Sequence, residues 1–291
     1  MGVTKNEGRP VLLPYKEKVR RTQEKREDKK MTTERAREIL GTDFFGPEAV
    51  EKTFGFTPEN IPDIQFSEND LERAKELGQF LILRADQTTN GKPLTMQEMN
   101  KMLEAKLKKA KKGKILWSVD WYANEDFYTK DTPKLSWALV SKTEIPGSTS
   151  KNHLQQTEQM VEYLMNQVFK DVDPDKIPQE YTEAIEELNA QKAEIAQLIK
   201  DNWQEAALRL SNLKINKLLR QLPVEAIYDW LVYLENNNVR LMEGKYTWTH
   251  RRDSSGRLVS VGYFASAGAS VSHWTPDAVD GALGVSFSRS R

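Results

Sequence analysis

The chain has 291 residues, 38% of them hydrophobic and 30% charged, with 43 basic and 43 acidic side chains and no cysteine. That length suits one large domain or two smaller ones with a core. The absence of cysteine removes disulfides, thiolate nucleophiles and Cys-type zinc sites together. Balanced charge argues against a whole-protein claim on nucleic acid or a membrane surface.

Residues 1–30 read as a charged, flexible tail. The stretch "KEKVRRTQEKREDKK" (16–30) holds eight basic and four acidic residues and almost nothing apolar, too little burial to offset ordering entropy. A nucleic-acid- or partner-binding arm is the alternative. "VLLPY" is too short for a signal-peptide core, and no apolar run approaches the ~18 residues of a membrane span. The expected location is therefore cytoplasmic or virion-associated.

From 31 to 112 the signals are mostly helical. Thr32 or Thr33 caps "TERAREIL" before Gly41, and Pro47 opens a helix closed by Gly55. Ser67–Asp70 and Thr95–Glu98 are capping patterns for two more. "QFLILRA" between them reads as a strand. The lysines at 106, 108, 109, 111, 112 and 114 gather at a helix C-terminus, where the macrodipole favours cations; an anion site is the alternative.

At 115 the composition changes. "ILWSVDWYANEDFYTKDTPKLSWALVSK" is rich in Trp, Tyr, Val and Leu and reads as two or more strands. Helical repeats follow in "NHLQQTEQMVEYLMNQVF", "PQEYTEAIEELNAQKAEIAQLIK", "WQEAALRLSNLKINKLLRQL" and "PVEAIYDWLVYLENNN". After Asn238 come short strands: "KYTWTHRR", "RLVSVGYF", "GASVSHW" and "LGVSFSR". In the last, Leu283, Val285 and Phe287 alternate with Gly284, Ser286 and Ser288, the period of a strand with one buried face. The expected fold class is α+β, with a small twisted antiparallel sheet and packed helices over 113–291 behind a mostly helical 31–112.

Catalytic patterns are not evident. The histidines at 153, 250 and 273 have no second ligand at metal spacing, so no metal is assigned. "DVDPD" (171–175) lacks the twelve-residue calcium loop. Neither a nucleophile elbow nor a phosphate loop is present. An aromatic pocket around Trp117, Asp120, Trp121 and Glu125 is the one enzymatic alternative, and a core strand is the simpler account of it. No enzyme activity and no cofactor are expected.

The carboxyl end departs from the rest. Residues 1–252 hold 76 Lys, Glu, Gln or Met, about 30%; the same frequency over residues 253–291 would place about twelve, and there are none. A turn-rich sheet that prefers small residues explains part of this depletion. A second explanation is genetic. Randomising the adenines of pyrimidine-ending asparagine codons yields many residue types but never Lys, Glu, Gln, Met or Trp. The four missing types are among the forbidden ones, so Trp274 would be a fixed position.

The spacing of fixed among small or polar residues, closed by "LGVSFSRSR", resembles the variable region of diversity-generating-retroelement variable proteins. In that family a C-type-lectin-type fold ends in a sheet and loops whose exposed positions are mutated by a dedicated reverse transcriptase. The closing motif corresponds to Leu283, Gly284, Val285 and Arg289. The resemblance covers about 40 residues closely, extends in element order over 115–291, and leaves 31–112 without an assignment. It implies a scaffold of Val261, Gly262, Phe264, Gly268, Val271, Trp274, Leu283, Gly284, Val285 and Phe287. It implies variable, ligand-binding positions at Ser260, Tyr263, Ala265, Ser266, Ala267, Ala269, Ser270, Ser272, His273, Thr275, Pro276, Asp277, Ala278, Asp280, Gly281 and Ala282. Tyr263 and His273 would anchor, while the small residues adapt. The related oxidases that generate formylglycine need cysteine, and calcium-dependent lectins use a Trp-Asn-Asp motif that "HWTPDA" does not reproduce. The implied function is non-enzymatic binding of a protein or cell-surface ligand, with oligomerisation raising avidity and with no membrane or nucleic-acid partner. The alternative is a structural or virion component whose terminal sheet packs in an oligomer.

Overall fold

A computed structural model describes residues 30–291. The tail assigned to 1–30 lies outside the described residues except for Lys30, which meets Asp63 at 2.6 Å.

The N-terminal helices begin and end where the local chemistry sets them. Thr32 caps α1 (Thr33–Leu40) by accepting from the Arg35 amide. After β1 (Phe44–Phe45), Pro47 opens α2 (Pro47–Phe54), and Gly55 closes it in the left-handed region. Ser67 and Asp70 cap each other reciprocally at α3 (Glu68–Glu76). Strand β2 (Gln79–Arg84) is buried along its whole length, and Thr95 caps α4 (Met96–Lys109).

The aromatic stretch after 115 is not two strands. Leu116 makes one bridge to Ala269, 121–124 is a turn, α5 (Asp126–Thr129) is a single turn of helix, and only β3 (Ser136–Glu144) extends. Aromatic content there serves packing of Tyr122, Phe127 and Tyr128, which does not require a strand. Helix α6 (His153–Tyr163) runs into a π turn, followed by α7 (Gln179–Asp201), α8 (Trp203–Asn212), α9 (Lys214–Leu219) and α10 (Pro223–Asn237). The single helix expected over 203–222 breaks at Leu213, which leaves the helical region to end α8 and cap α9.

The sheets are β1-β2-β3-β8 and β6-β5-β4-β7, formed with β4 (Tyr246–Arg252), β5 (Leu258–Ala265), β6 (Gly268–Trp274), β7 (Leu283–Gly284) and β8 (Ser286–Ser290). Each is mixed: β1 pairs parallel with β2, and β7 parallel with β4. This corrects the expectation of one antiparallel sheet. The α+β class stands. The division at 112/113 does not separate two packing units, because β1 and β2 share a sheet with β3 and β8, and one apolar cluster runs from Met31 to Val271.

Helix α10 joins the sheets. It is buried from Pro223 to Glu235 except at Glu225; Tyr228 donates to the Leu83 carbonyl at 2.9 Å, and Trp230 stacks on Phe264 of β5. Beside it Arg84 of β2 grips Asp229 with two bonds of 2.6 and 3.0 Å and reaches Ser288 and Ser290 of β8. Burial opposes the Arg84 charge, but Asp229 and Glu225 outweigh it and raise its pKa. The terminal strand is therefore buried on both sides, not one. Ser286 donates to the Ser141 carbonyl, Ser288 faces Arg84, and Arg289, only 1% exposed, pairs with Asp70. Serines fit because each polar group has a partner.

Candidate functional site

The site expected from the sequence lies on β5, β6 and the loop after them. The two strands pair antiparallel with Ser260 opposite Ser272, Gly262 opposite Ser270 and Val261 opposite Val271. Strand alternation then sends Ser270, Ser272 and Trp274 to one face of β6 and Val271 and His273 to the other. Val259, Val261 and Val271 pack with the α10 cluster, whereas Leu258 and Trp248 pack with the helices α6–α9. The sheet is thus a layer between two cores.

Two glycines let neighbouring chain approach. A Cβ on Gly262 would fall 2.1 Å from the Lys245 carbonyl oxygen; one on Gly268 would fall 2.5 Å from the Leu116 carbonyl carbon, at a φ of +103°. Between them the ladder breaks, and Tyr263 adopts a φ of +46°. This bulge turns Tyr263 out of the sheet, 43% exposed, with its ring 4.8 Å from that of Tyr246. Tyr246 donates its hydroxyl proton to Ser270 Oγ at 2.8 Å, and Lys245 Nζ donates to the Gly281 carbonyl at 3.0 Å. Lys245 and Tyr246, neither expected from the sequence, therefore connect Tyr263, Ser270, Gly281 and Ala282, whose carbonyl accepts from the Tyr246 amide. Their signal was weak, one Lys-Tyr pair ahead of a strand.

The loop 275–282 is held from beneath. The Pro276 carbonyl accepts from the His153 amide and the Asp280 carbonyl from the Ser150 amide, while Asp280 Oδ1 takes the Ala282 amide. This leaves Asp277, Asp280 and Gly281 exposed and Thr275, Ala278 and Ala282 half-buried. Ser266 and Ala267 are exposed at the β5–β6 turn, beside half-buried Ala265; Ser270 and Ser272 are half-buried on the face.

Five expectations need correction. Ser260 and Ala269 are fully buried and Pro276 is buried: Ser260 pairs with Trp248 of β4, the Ala269 amide bonds the Ile115 carbonyl, and the Pro276 carbonyl accepts from the His153 amide. Trp274, expected in the scaffold, is 39% exposed, as the last residue of the edge strand β6, opposite Leu258. The remaining scaffold residues, Val261, Gly262, Phe264, Gly268, Val271, Leu283, Gly284, Val285 and Phe287, are all buried. His273 does not join Ser270 and Ser272: it lies on the opposite face, where Nδ1 bonds Asp253 and the ring packs against Trp121, centroids 4.3 Å apart and planes tilted by 46°.

The aromatic stretch is not a core strand at this point either. Trp117 is 63% and Trp121 40% exposed. The Trp117 amide donates to the Ala269 carbonyl at 2.9 Å, and the Trp121 indole to the Val271 carbonyl at 3.2 Å. Both therefore lie along the outer edge of β6. Glu125 and Asp120 do not form a pocket with them. Glu125 instead accepts from the Ser254 amide at 2.9 Å, on the wall of a polar cleft of about 700 Å³ with Asp131, His250 and Arg251. Burial pushes the Asp131 carboxyl up, against the pull of Arg251 at 2.9 Å. Burial holds the His250 imidazole below its ordinary range, and its Nδ1 donates to the Arg220 carbonyl, leaving Nε2 as an acceptor. Among the described residues no group of three His, Asp or Glu is placed to hold a metal ion, and no helix is long and apolar enough to cross a membrane.

No protein-family model, curated protein or solved structure matches the chain.

Proposed function

We propose that the chain is a non-enzymatic binding protein of the C-type-lectin-type variable class, presenting a diversified surface on β5, β6 and the loop 275–282 to a protein or cell-surface ligand. One observation carries this. Within the segment that lacks Lys, Glu, Gln and Met, exposure follows the division into variable and scaffold positions. Thirteen of the sixteen variable positions are exposed or half-buried, with His273 on the face opposite Ser270 and Ser272, and every scaffold residue but Trp274 is buried. Burial of apolar side chains accounts for part of that division; the absence of Lys, Glu, Gln and Met from its exposed positions is what diversification adds. Tyr263, turned outward by the bulge and backed by Tyr246, is the aromatic anchor, and Ser270, Asp277, Asp280 and Gly281 are small surroundings that accept change.

The test is the flanking DNA. The proposal expects a near-identical copy of the 3′ coding segment, differing only at adenines, beside a reverse-transcriptase gene. A locus with neither removes it. A second reading, an enzyme, rests on the polar cleft beside His250 and Glu125. It would show as turnover abolished by Glu125→Gln in a hydrolase substrate screen.

A further inference from the structure

We propose that the run from Lys108 to Trp117, which leaves the end of α4 and meets the β5–β6 turn and the outer edge of β6 at 114–117, binds single-stranded nucleic acid. The proposal does not rest on the diversified surface: none of these residues lies in 253–291, although the run borders Ser266 and Ala269 of that segment.

The macrodipole accounts for lysines within the last turn of α4 and not beyond it. Lys106 and Lys112 are also spoken for, because both pair with Glu235, at 3.1 and 2.8 Å. Lys108, Lys109, Lys111 and Lys114 are all exposed, and none has an ion-pair partner among the described residues. Lys111 and Lys114 lie past the helix, where no structural account covers them. The backbone beneath is fixed: the Lys114 amide donates to the Ser266 carbonyl at 3.0 Å, and Ile115 and Trp117 bracket Ala269 with bonds of 2.7 and 2.9 Å. Four cations are thus held ahead of an indole that is 63% exposed.

That combination selects the partner. Lysines alone would suit any polyanion, but an exposed indole adds a stacking surface, and phosphates interleaved with flat bases use both. A membrane is disfavoured, because Ile115 and Leu116 are buried and leave no apolar face to insert. Trp121, tilted against His273, is held to Val271, two residues along β6 from the contact of Trp117. It is 40% exposed and is a second aromatic side chain on the same edge.

The experiment is fluorescence anisotropy of the full chain with labelled oligo(dT) of fifteen nucleotides, with polyphosphate and phosphatidylserine vesicles as competitors. Binding is expected to weaken about 50-fold between 50 and 200 mM KCl, the slope of about four phosphate contacts on a single strand. Trp117→Ala is expected to lose about 5- to 150-fold, the range of one base stack, while Trp117→Phe keeps most of the affinity. The fourfold lysine-to-glutamine variant at 108, 109, 111 and 114 is expected to lose the salt dependence. No binding at 50 mM KCl, or binding unchanged in either the Trp117→Ala or the lysine variant, overturns the proposal. So does an affinity for polyphosphate or vesicles equal to that for oligo(dT). All of the altered side chains are exposed, so unchanged circular dichroism separates loss of binding from loss of fold.

Discussion

Asp229→Ala tests whether the first sheet and α10 share one core. The substitution removes both bonds to Arg84 and the 2.6 Å bond from Gln221, and strands a guanidinium that is 1% exposed. Breaking a buried pair from one side costs about 3–5 kcal/mol, because the remaining charge has lost its partner without regaining water. Glu225 remains 3.1 Å from Arg84 and is itself 12% exposed, which places the expected loss near the lower end, about 3 kcal/mol. With a urea slope of about 3 kcal/mol per molar, the midpoint should fall by about 1 M. The assay is urea unfolding at pH 7, followed by tryptophan fluorescence and by far-ultraviolet circular dichroism. Burial pushes the Asp229 carboxyl up while Arg84 pulls it back, so the intact pair gives little net stability over an apolar one. Arg84→Met with Asp229→Leu should accordingly recover most of the loss. A midpoint shift below about 0.3 M, or two separate transitions, would refute the claim that β2, α10 and β8 act as one cooperative unit.

Two further outcomes are expected. Burial lowers the pKa of both His153 and His250. The unfolded chain therefore binds protons below about pH 6.5 that the folded chain refuses, and stability falls as pH drops from that value toward the depressed folded values. The slope should reach at most about 1.4 kcal/mol per pH unit for each histidine. Melting temperatures from pH 7.5 to 5.0 should show it, and a profile equally steep in His153→Phe would exclude His153 as a source. Gly262→Ala and Gly281→Ala separate scaffold from surface. The first places a methyl 2.1 Å from a carbonyl oxygen, and the second meets nothing closer than 3.9 Å. The first should cost more than about 2 kcal/mol and the second less than about 0.5, read from chemical denaturation; equal costs would contradict the close approach of β4 to β5.

Local chemistry made much of the element order legible. Thr32, Pro47, Ser67 and Thr95 marked helix starts that the structure keeps, because capping depends only on neighbouring backbone amides. The strands after Tyr246 were legible from their alternation and their glycines for the same local reason. Three matters were settled only by tertiary contacts. Residues 31–112 share a sheet with the C-terminal strand because β3 pairs with β2 on one side and with β8 on the other. The aromatic stretch after 115 carries two exposed tryptophans because β6 offers its outer edge to them, and composition alone does not distinguish such a flank from a core strand. His273 and Ser270 take opposite faces by alternation along β6, but what covers each face is decided by the pairing of β6 with β5 and by the helices packed on that sheet. Residue types establish what a surface is made of; only the pairing of strands decides which of those residues share it.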